Sequence, residues 1–283
     1  MWWPEANETA GILLHSCAGL CAGLPARPPR PQCPCSSAPS VSSRWFRDWV
    51  FKGGGRVESL TPTADVLERK VSGAYNRIWK PTIGIVIAVP LLVLLTPLLL
   101  VVAIAIAIDS GLPILYRAER GGLHGKPFVI FKFRTMVPDA DKLGGGTTSL
   151  ADPRITRIGS FLRKVKLDEF PQLLNIIRGD MCFVGPRPEL IAYTDRYSSL
   201  ERYILEVRPG ITDFSSIEFI NLDEVVGSVD ADSNYEEHVL PRKNRLRLNY
   251  VMEMSPRQDM RVFVVTVAKS IRGALRHTFK RKK

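Results

Sequence analysis

The chain has 283 residues, enough for one or two domains with a real core. Apolar residues make up 45% and charged residues 24%, which excludes wholesale disorder and collagen-like repeats; a mean hydropathy near zero excludes a polytopic membrane bundle. The net charge of +11 is unevenly placed: residues 241–283 hold 13 Lys/Arg and 2 Asp/Glu, whereas residues 209–241 hold eight acids and no Lys or Arg. A basic tail of this kind meets nucleic acid or anionic lipid.

Residues 1–43 are rich in Pro, Ser, Cys and Ala without helical or strand period, and an N-terminal extension over 1–70 is expected to be disordered in large part. Glu5 and Glu8, together with His15 inside the apolar patch, argue against a secretory signal, and bulky Leu20 before Cys21 argues against a lipoprotein site. Cys17, Cys21, Cys33 and Cys35 lack the paired spacing of a zinc site and read as free thiols.

From Pro81 to Ile108 the chain runs 28 residues without a charge. As one straight helix it would be about 42 Å long, against a bilayer core near 30 Å. Pro90 and Pro97, the latter after Thr96, each remove a backbone donor and bend a helix. Arg69, Lys70, Arg77 and Lys80 precede the segment, and Arg117, Arg120, Lys126, Lys132 and Arg134 follow it. The positive-inside tendency wants both flanks on the cytoplasmic side, which a re-entrant hairpin over 71–110, broken at Thr96 and Pro97, satisfies. The alternative is an ordinary single-pass helix.

Ile114–Tyr116 and Phe128–Phe133 around a Gly-rich turn predict a β-hairpin. Ile158–Val165 and Glu169–Ile177 have helical potential, the second closed by Gly179. Leu200, Tyr203, Ile204 and Val207 share one helical stripe, and Cys182 reads as packing in a buried strand. Near the C-terminus, Val264, Val267, Ala268, Ile271 and Leu275 share one helix face while Lys269, Arg272 and Arg276 share another. Such a helix lies in a bilayer interface or packs on a core, and the two readings stay open. Nucleic acid is disfavoured, since Phe279 is the one aromatic among the tail's last twenty residues. The fold class that results is α+β, predominantly helical: a re-entrant membrane helix-break-helix, then a small cytoplasmic domain with a β-hairpin and interfacial amphipathic helices.

The densest polar constellation spans residues 151–190. Asp168 and Glu169 open a helix just before Pro171; an ordinary reading makes Asp168 its N-cap and the pair a complement to the helix dipole. Arg154, Arg157, Arg163, Lys164 and Lys166 precede the pair, and Arg178 and Arg187 follow it, which suits phosphate. Two carboxylates would repel phosphate unless a divalent cation, usually Mg²⁺, bridges them. A bridged carboxylate can attack phosphorus and form an acyl phosphate. Composition leads as far as metal-assisted phosphoryl chemistry at a membrane surface.

Several motifs then stand in order: Thr96-Pro97, Lys132-Phe133-Arg134-Thr135-Met136, Asp152-Pro153-Arg154-Ile155-Thr156-Arg157, Leu167-Asp168-Glu169-Phe170-Pro171-Gln172-Leu173, Gly179-Asp180-Met181, Val184-Gly185-Pro186-Arg187-Pro188-Glu189 and Arg208-Pro209-Gly210-Ile211-Thr212. In these the chain resembles the bacterial sugar transferases, the monotopic polyprenyl-phosphate phosphoglycosyl transferases, over roughly residues 74–283. The resemblance implies that 111–283 is a catalytic domain passing sugar-1-phosphate from a UDP-sugar to polyprenyl phosphate with release of UMP, through a covalent intermediate on an aspartate. It implies Asp168 as nucleophile, Glu169 as Mg²⁺ ligand, and Lys132, Arg134, Arg187 and Arg208 as candidates for holding phosphates. It also implies the bacterial inner membrane, with the catalytic domain on the cytoplasmic face, and leaves a homodimer open. Anionic lipid as a further partner is expected from the basic tail beside the apolar segment.

Each basic residue keeps a plain alternative. Lys132 and Arg134 could be the solvent face of a strand, Arg187 could pair with Glu189, and Arg208 could cap the helix before it. A non-catalytic membrane adaptor, or a membrane-tethered nucleic-acid binder, would need the cations but not the carboxylate pair. Many family members continue Gly-Ile-Thr with Gly-Trp-Ala, where this chain has Asp213-Phe214-Ser215, and the departure bears on sugar preference and nucleotide stacking. The acids from Glu218 to Glu237 are expected to be a solvated loop.

Overall fold

The computed structural model describes residues 63–140, 152–220, 222 and 231–280. The expectations for residues 1–62 lie outside them, as do residues 221 and 223–230 of the acidic stretch. The described remainder of that stretch is not a solvated loop throughout, because Ala231–Asn234 and Tyr235–Val239 are helical and Tyr235 is buried against the core. The architecture is mostly helical, with one antiparallel strand pair, one parallel strand pair and one long apolar helix.

Helix α1 (Ala64–Ser72) leads through a π-type turn (Tyr75–Trp79) into α2 (Lys80–Ser110). Among the described residues, this is the one helical run long and apolar enough to cross a membrane. The expected break at Thr96 and Pro97 is not seen: α2 is one helix with both prolines inside it. The reason is in its packing. Ala88, Leu91, Leu92 and Leu95 pack with Ile130, Leu173, Ile176 and Met181, and Leu99, Val102, Ala103 and Ile106 continue the same stripe onto Phe133 and Leu162. That three-four spacing stays in phase across Pro97, so burial on both sides of the proline holds the helix together. The missing donor of Pro97 affects one rung, and the neighbouring Leu92 carbonyl accepts from the Thr96 hydroxyl at 2.8 Å.

Both ends of α2 are tied to the rest of the domain. At its start, Lys80 reaches the Tyr250 hydroxyl and lies 3.3 Å from Asp259, whose two oxygens also accept from Tyr75 and Tyr250. At its end, the Arg134 guanidinium donates to the Ser110 carbonyl at 2.7 Å and the Gly111 carbonyl. The outer face leaves Ile83, Val86, Val93, Leu94, Val101, Ile104 and Ile108 exposed.

Strands β1 (Leu115–Gly121) and β2 (Pro127–Phe133) form the expected hairpin, longer on its first strand than the sequence suggested. Helix α3 (Arg157–Val165) is capped by the Thr156 hydroxyl and ends in left-handed Lys166. A 3₁₀ turn (Leu167–Gln172) then runs into α4 (Leu173–Arg178), which Gly179 closes at φ 83°. Asp168 is therefore not an N-cap: Lys166 precedes the turn, and Asp168 lies within it. Strand β3 (Cys182–Val184), with Cys182 buried as expected, pairs in parallel with β4 (Gly210–Thr212). Between them come α5 (Ile191–Thr194) and a 3₁₀ turn (Glu201–Glu206) that buries Ile204, with Val207 just beyond it.

After β4 come α6 (Phe214–Glu218), α7 (Ala231–Asn234), α8 (Leu240–Glu253) and α9 (Pro256–Lys280). The main core joins Phe214, Ile217, Tyr250, Val251 and Val262 to Leu67 of α1. In α9 the buried apolar positions among the described side chains are Val262 and Val265, whereas Val264, Val267 and Ile271 of the expected apolar face stay exposed. The side that packs on the core is therefore not the apolar face expected from the sequence, which stays exposed.

Candidate active site

The site forms where β2, the Leu167–Gln172 turn and the segment after β3 meet. Strand β2 pairs with β1 on one edge. On the other, Asn175 of α4 replaces a third strand: its Oδ1 accepts from the Phe131 amide at 3.0 Å and its Nδ2 donates to the Val129 carbonyl at 2.7 Å. A buried amide satisfied in this way pins α4 to the strand and sets the register of Lys132 against the acidic pair. Sequence reasoning missed Asn175. Its signal was a polar residue on the otherwise apolar run Leu173, Leu174, Ile176, Ile177.

Lys132 Nζ donates to Glu169 Oε1 at 3.2 Å. Arg187 grips the same carboxylate with both terminal nitrogens, NH2 on Oε1 and NH1 on Oε2, the latter at 3.1 Å. Burial opposes a charge on Glu169, yet Arg187 and Lys132 overcome it and hold the carboxyl well below the usual carboxylate range. Asp168 is only 8% exposed, and its Oδ1 is buried without a hydrogen-bond partner. Burial, then the charge of Glu169, pushes its carboxyl above the ordinary aspartate range against the pull of Lys132, Lys166 and Arg163. Burial lowers Lys132 despite the neighbouring Glu169. The adjacent acids are thus driven apart, one readily ionised and one resisting it, which is a pattern of functional sites.

Arg187 does not pair with Glu189. Its NH1 also donates to the Ile211 carbonyl at 2.7 Å, and its backbone amide donates to Asp213 Oδ2 at 3.2 Å. Asp213 is fully buried, caps α6 through the Ser216 amide and accepts from the Ser215 and Ser216 hydroxyls. Phe214 is buried edge-on against Tyr250. The Asp213-Phe214 departure therefore supports Arg187 and the core, and neither residue presents a sugar-contacting surface. Glu189 instead accepts from Lys243 at 2.9 Å, Arg247 at 2.6 Å and the Tyr235 hydroxyl.

The other two cations go elsewhere. Arg134 is buried at the end of α2, held by its carbonyls, with Nε and NH1 unpartnered. Arg208 donates to the Gly179 carbonyl at 3.0 Å, so it caps α4, which is not the helix before it in sequence. The structure thus brings Lys132, Asp168, Glu169 and Arg187 together and gives Arg134 and Arg208 anchoring contacts.

Close backbone approach places Arg187. A Cβ on Gly210 would lie 2.1 Å from the Gly185 nitrogen, and the Gly210 amide donates to the Pro186 carbonyl at 3.0 Å. Gly210→Ala is expected to force β3 and β4 apart, lowering the melting temperature and moving Arg187 off Glu169. Thermal unfolding together with an activity assay checks this, and an unperturbed variant would contradict it.

Among the described residues no three His, Cys, Asp or Glu side chains cluster to cage a metal. Mg²⁺ does not require such a cage, because it is commonly held by one or two carboxylates with substrate phosphates and water. The partnerless Asp168 Oδ1, beside a Glu169 whose Oε2 accepts a single hydrogen bond, fits that donor set.

A family model for the bacterial sugar transferases matches residues 75–273. The chain is 36% identical over 220 residues to the UDP-glucose:undecaprenyl-phosphate glucose-1-phosphate transferase of Escherichia coli (strain K12), covering 76% of this chain and 45% of that protein. It is 40% identical over 167 residues to the protein of the same name in Caulobacter vibrioides, covering 56% and 62%. It is 35% identical over 161 residues to the undecaprenyl-phosphate galactose phosphotransferase of Salmonella typhimurium, covering 52% and 34%. The chain thus spans less than two thirds of the length of each of these relatives. With Glu169 held between Lys132 and Arg187 beside Asp168, and with the family model matching most of its length, the chain belongs to the bacterial sugar transferase family.

Proposed function

We propose that this protein transfers sugar-1-phosphate from a UDP-sugar to a polyprenyl phosphate such as undecaprenyl phosphate, releasing UMP and starting the assembly of a surface polysaccharide or glycoconjugate. The observation that carries this reading is a buried, partnerless Asp168 carboxyl oxygen beside a Glu169 that Lys132 and Arg187 clasp. An adaptor that only bound anionic lipid would have no use for two carboxylates among its cations. In the first half-reaction, Asp168 attacks the phosphorus that bears the sugar. The P–O bond to UMP breaks, its electron pair leaves with UMP, and an aspartyl phosphosugar remains. In the second, a polyprenyl phosphate oxygen attacks that phosphorus and returns Asp168 as a carboxylate.

Lys132 and Arg187 supply fixed positive charge where negative charge is exchanged between oxygens. Glu169, with Asp168, would hold Mg²⁺. The ion supplies charge neutralisation of the diphosphate when bound. A panel of UDP-sugars incubated with detergent-solubilised protein, Mg²⁺ and polyprenyl phosphate, scored by UMP release, tests the reading. Release with at least one donor, dependent on Asp168, is expected; no release with any donor overturns it.

We also propose that α2 is embedded in the inner membrane from the cytoplasmic side with both ends at that face, bending at its internal prolines without losing helical continuity. Its two ends are both tied to the catalytic domain and its outer face is apolar, which supports a helix embedded from one side rather than one leading away from the domain. Exposed Val264, Val267 and Ile271 of α9 and Phe161 of α3 extend the apolar surface available to that interface. Cysteines introduced near Lys80 and Asp109 are expected to label from the same side of sealed vesicles. Opposite-side labelling would establish a span.

A further inference from the structure

We infer that Lys132 and Arg187 are the diphosphate-binding pair of this chain, and that Glu169 occupies both until a divalent cation takes over its carboxylate. The inference rests on the nucleotide-sugar reading above and adds an order to it.

The geometry makes the two uses of these cations exclusive. Arg187 turns its paired terminal nitrogens onto the two oxygens of Glu169, and a guanidinium uses that same fork to hold a phosphate bidentately. Its position is not free to adjust. The Ile211 carbonyl takes NH1, and Asp213 takes the backbone amide between two prolines. Lys132 spends a donor on Glu169 Oε1, from a strand locked by Asn175. Glu169 and both partners are mostly buried, so these pairs are screened far less than surface pairs.

A diphosphate arriving alone would have to displace a carboxylate already satisfied by three charge-assisted hydrogen bonds, and would leave that mostly buried carboxylate unpaired. A diphosphate arriving with Mg²⁺ removes the penalty, because the ion satisfies Glu169 while the phosphates satisfy the cations. The resting ion pairs therefore make nucleotide binding conditional on the metal. They also keep a site rich in Lys and Arg from filling with metal-free phosphate compounds.

The test is UDP binding to the full-length, detergent-solubilised chain, by calorimetry, with EDTA or with Mg²⁺. The native chain should bind UDP weakly in EDTA and much more tightly with Mg²⁺. Glu169→Gln, which keeps the shape and removes the charge, should bind UDP in EDTA at least about tenfold more tightly than the native chain and lose most of the Mg²⁺ dependence. Adding Arg187→Ala to that variant should cancel the gain. Asp168→Asn removes a neighbouring charge that pairs with neither cation, so its gain should be clearly smaller.

An equal gain in Asp168→Asn would reduce the effect to net charge and overturn the inference, as would a Glu169→Gln variant no tighter than native. Glu169→Ala gives the same comparison should the glutamine variant not fold. Failure of the native chain to bind UDP even with Mg²⁺ would instead overturn the nucleotide-sugar reading, and this inference with it.

Discussion

Asp168→Asn is expected to remove transfer by at least about 10³-fold, because an amide oxygen cannot form the acyl phosphate and no second carboxylate is free to replace it. Glu169 is unsuited to the substitute role, since Arg187 and Lys132 engage its oxygens at rest and the metal would take them in the loaded site. Intact-protein mass after a rapid quench with donor alone should show a phosphosugar increment on the native chain and none on the variant. Full activity in the variant would remove Asp168 from the reaction.

The same residue predicts a pH profile. Burial and Glu169 raise the Asp168 carboxyl above its ordinary range, so the nucleophile protonates and the rate falls at a higher pH than a normal aspartate near ~3.9 would give. Glu169 stays ionised throughout that fall, because its cations hold it low. In Glu169→Gln one cause of the elevation is gone, and whatever acid limb remains should move to lower pH. A limb that moves to higher pH would contradict the assignment.

Glu189→Ala is expected to produce the largest loss of stability. Glu189 is the common acceptor of Lys243, Arg247 and Tyr235, and Arg247 is fully buried. Removing one partner of a buried ionic cluster strands the others, at a cost of about 3–5 kcal/mol. For a domain of this size that is a fall in melting temperature of roughly 10 °C.

The sign against pH follows from the shifts. Burial opposes ionisation of Glu189, but Lys243 and Arg247 hold it well below the usual glutamate range. Its stabilisation is therefore full above the unfolded value near ~4.3 and is lost as pH falls from there through the folded value. The gap between native and Glu189→Ala melting temperatures should be widest near neutrality and narrow in acid. A gap independent of pH would show that volume, not charge, was lost. Because Glu189 stands two residues from Arg187, the variant should also lose activity at temperatures where it is still folded.

The hairpin, the long apolar helix, the glycine closing α4 and the acidic pair were all legible in the sequence, because each depends on local chemistry: strand-forming runs around glycines, an uncharged stretch, a left-handed cap, two acids amid cations. What misled was also local. Two prolines read as a break, yet the stripe from Ala88 to Ile106 stays buried on both sides of Pro97 and keeps α2 whole. Asp168 read as a cap, yet left-handed Lys166 begins the turn one residue ahead of Leu167. Basic residues at similar spacings all looked alike as phosphate ligands. Only their neighbours separate Lys132 and Arg187, which close on Glu169, from Arg134 and Arg208, which hold helix-end carbonyls.

By itself, then, the order of amino acids determined the chemistry available: a carboxylate pair, the cations to face phosphate, and an apolar anchor. Tertiary structure alone decided which cations meet the pair. It also decided that Asp213 and Asn175 work behind them and that one acid is easily ionised while the other resists. Hydrogen-bond partners and burial belong to segments far apart in the chain, and a charge acquires its energy from whatever the fold packs beside it.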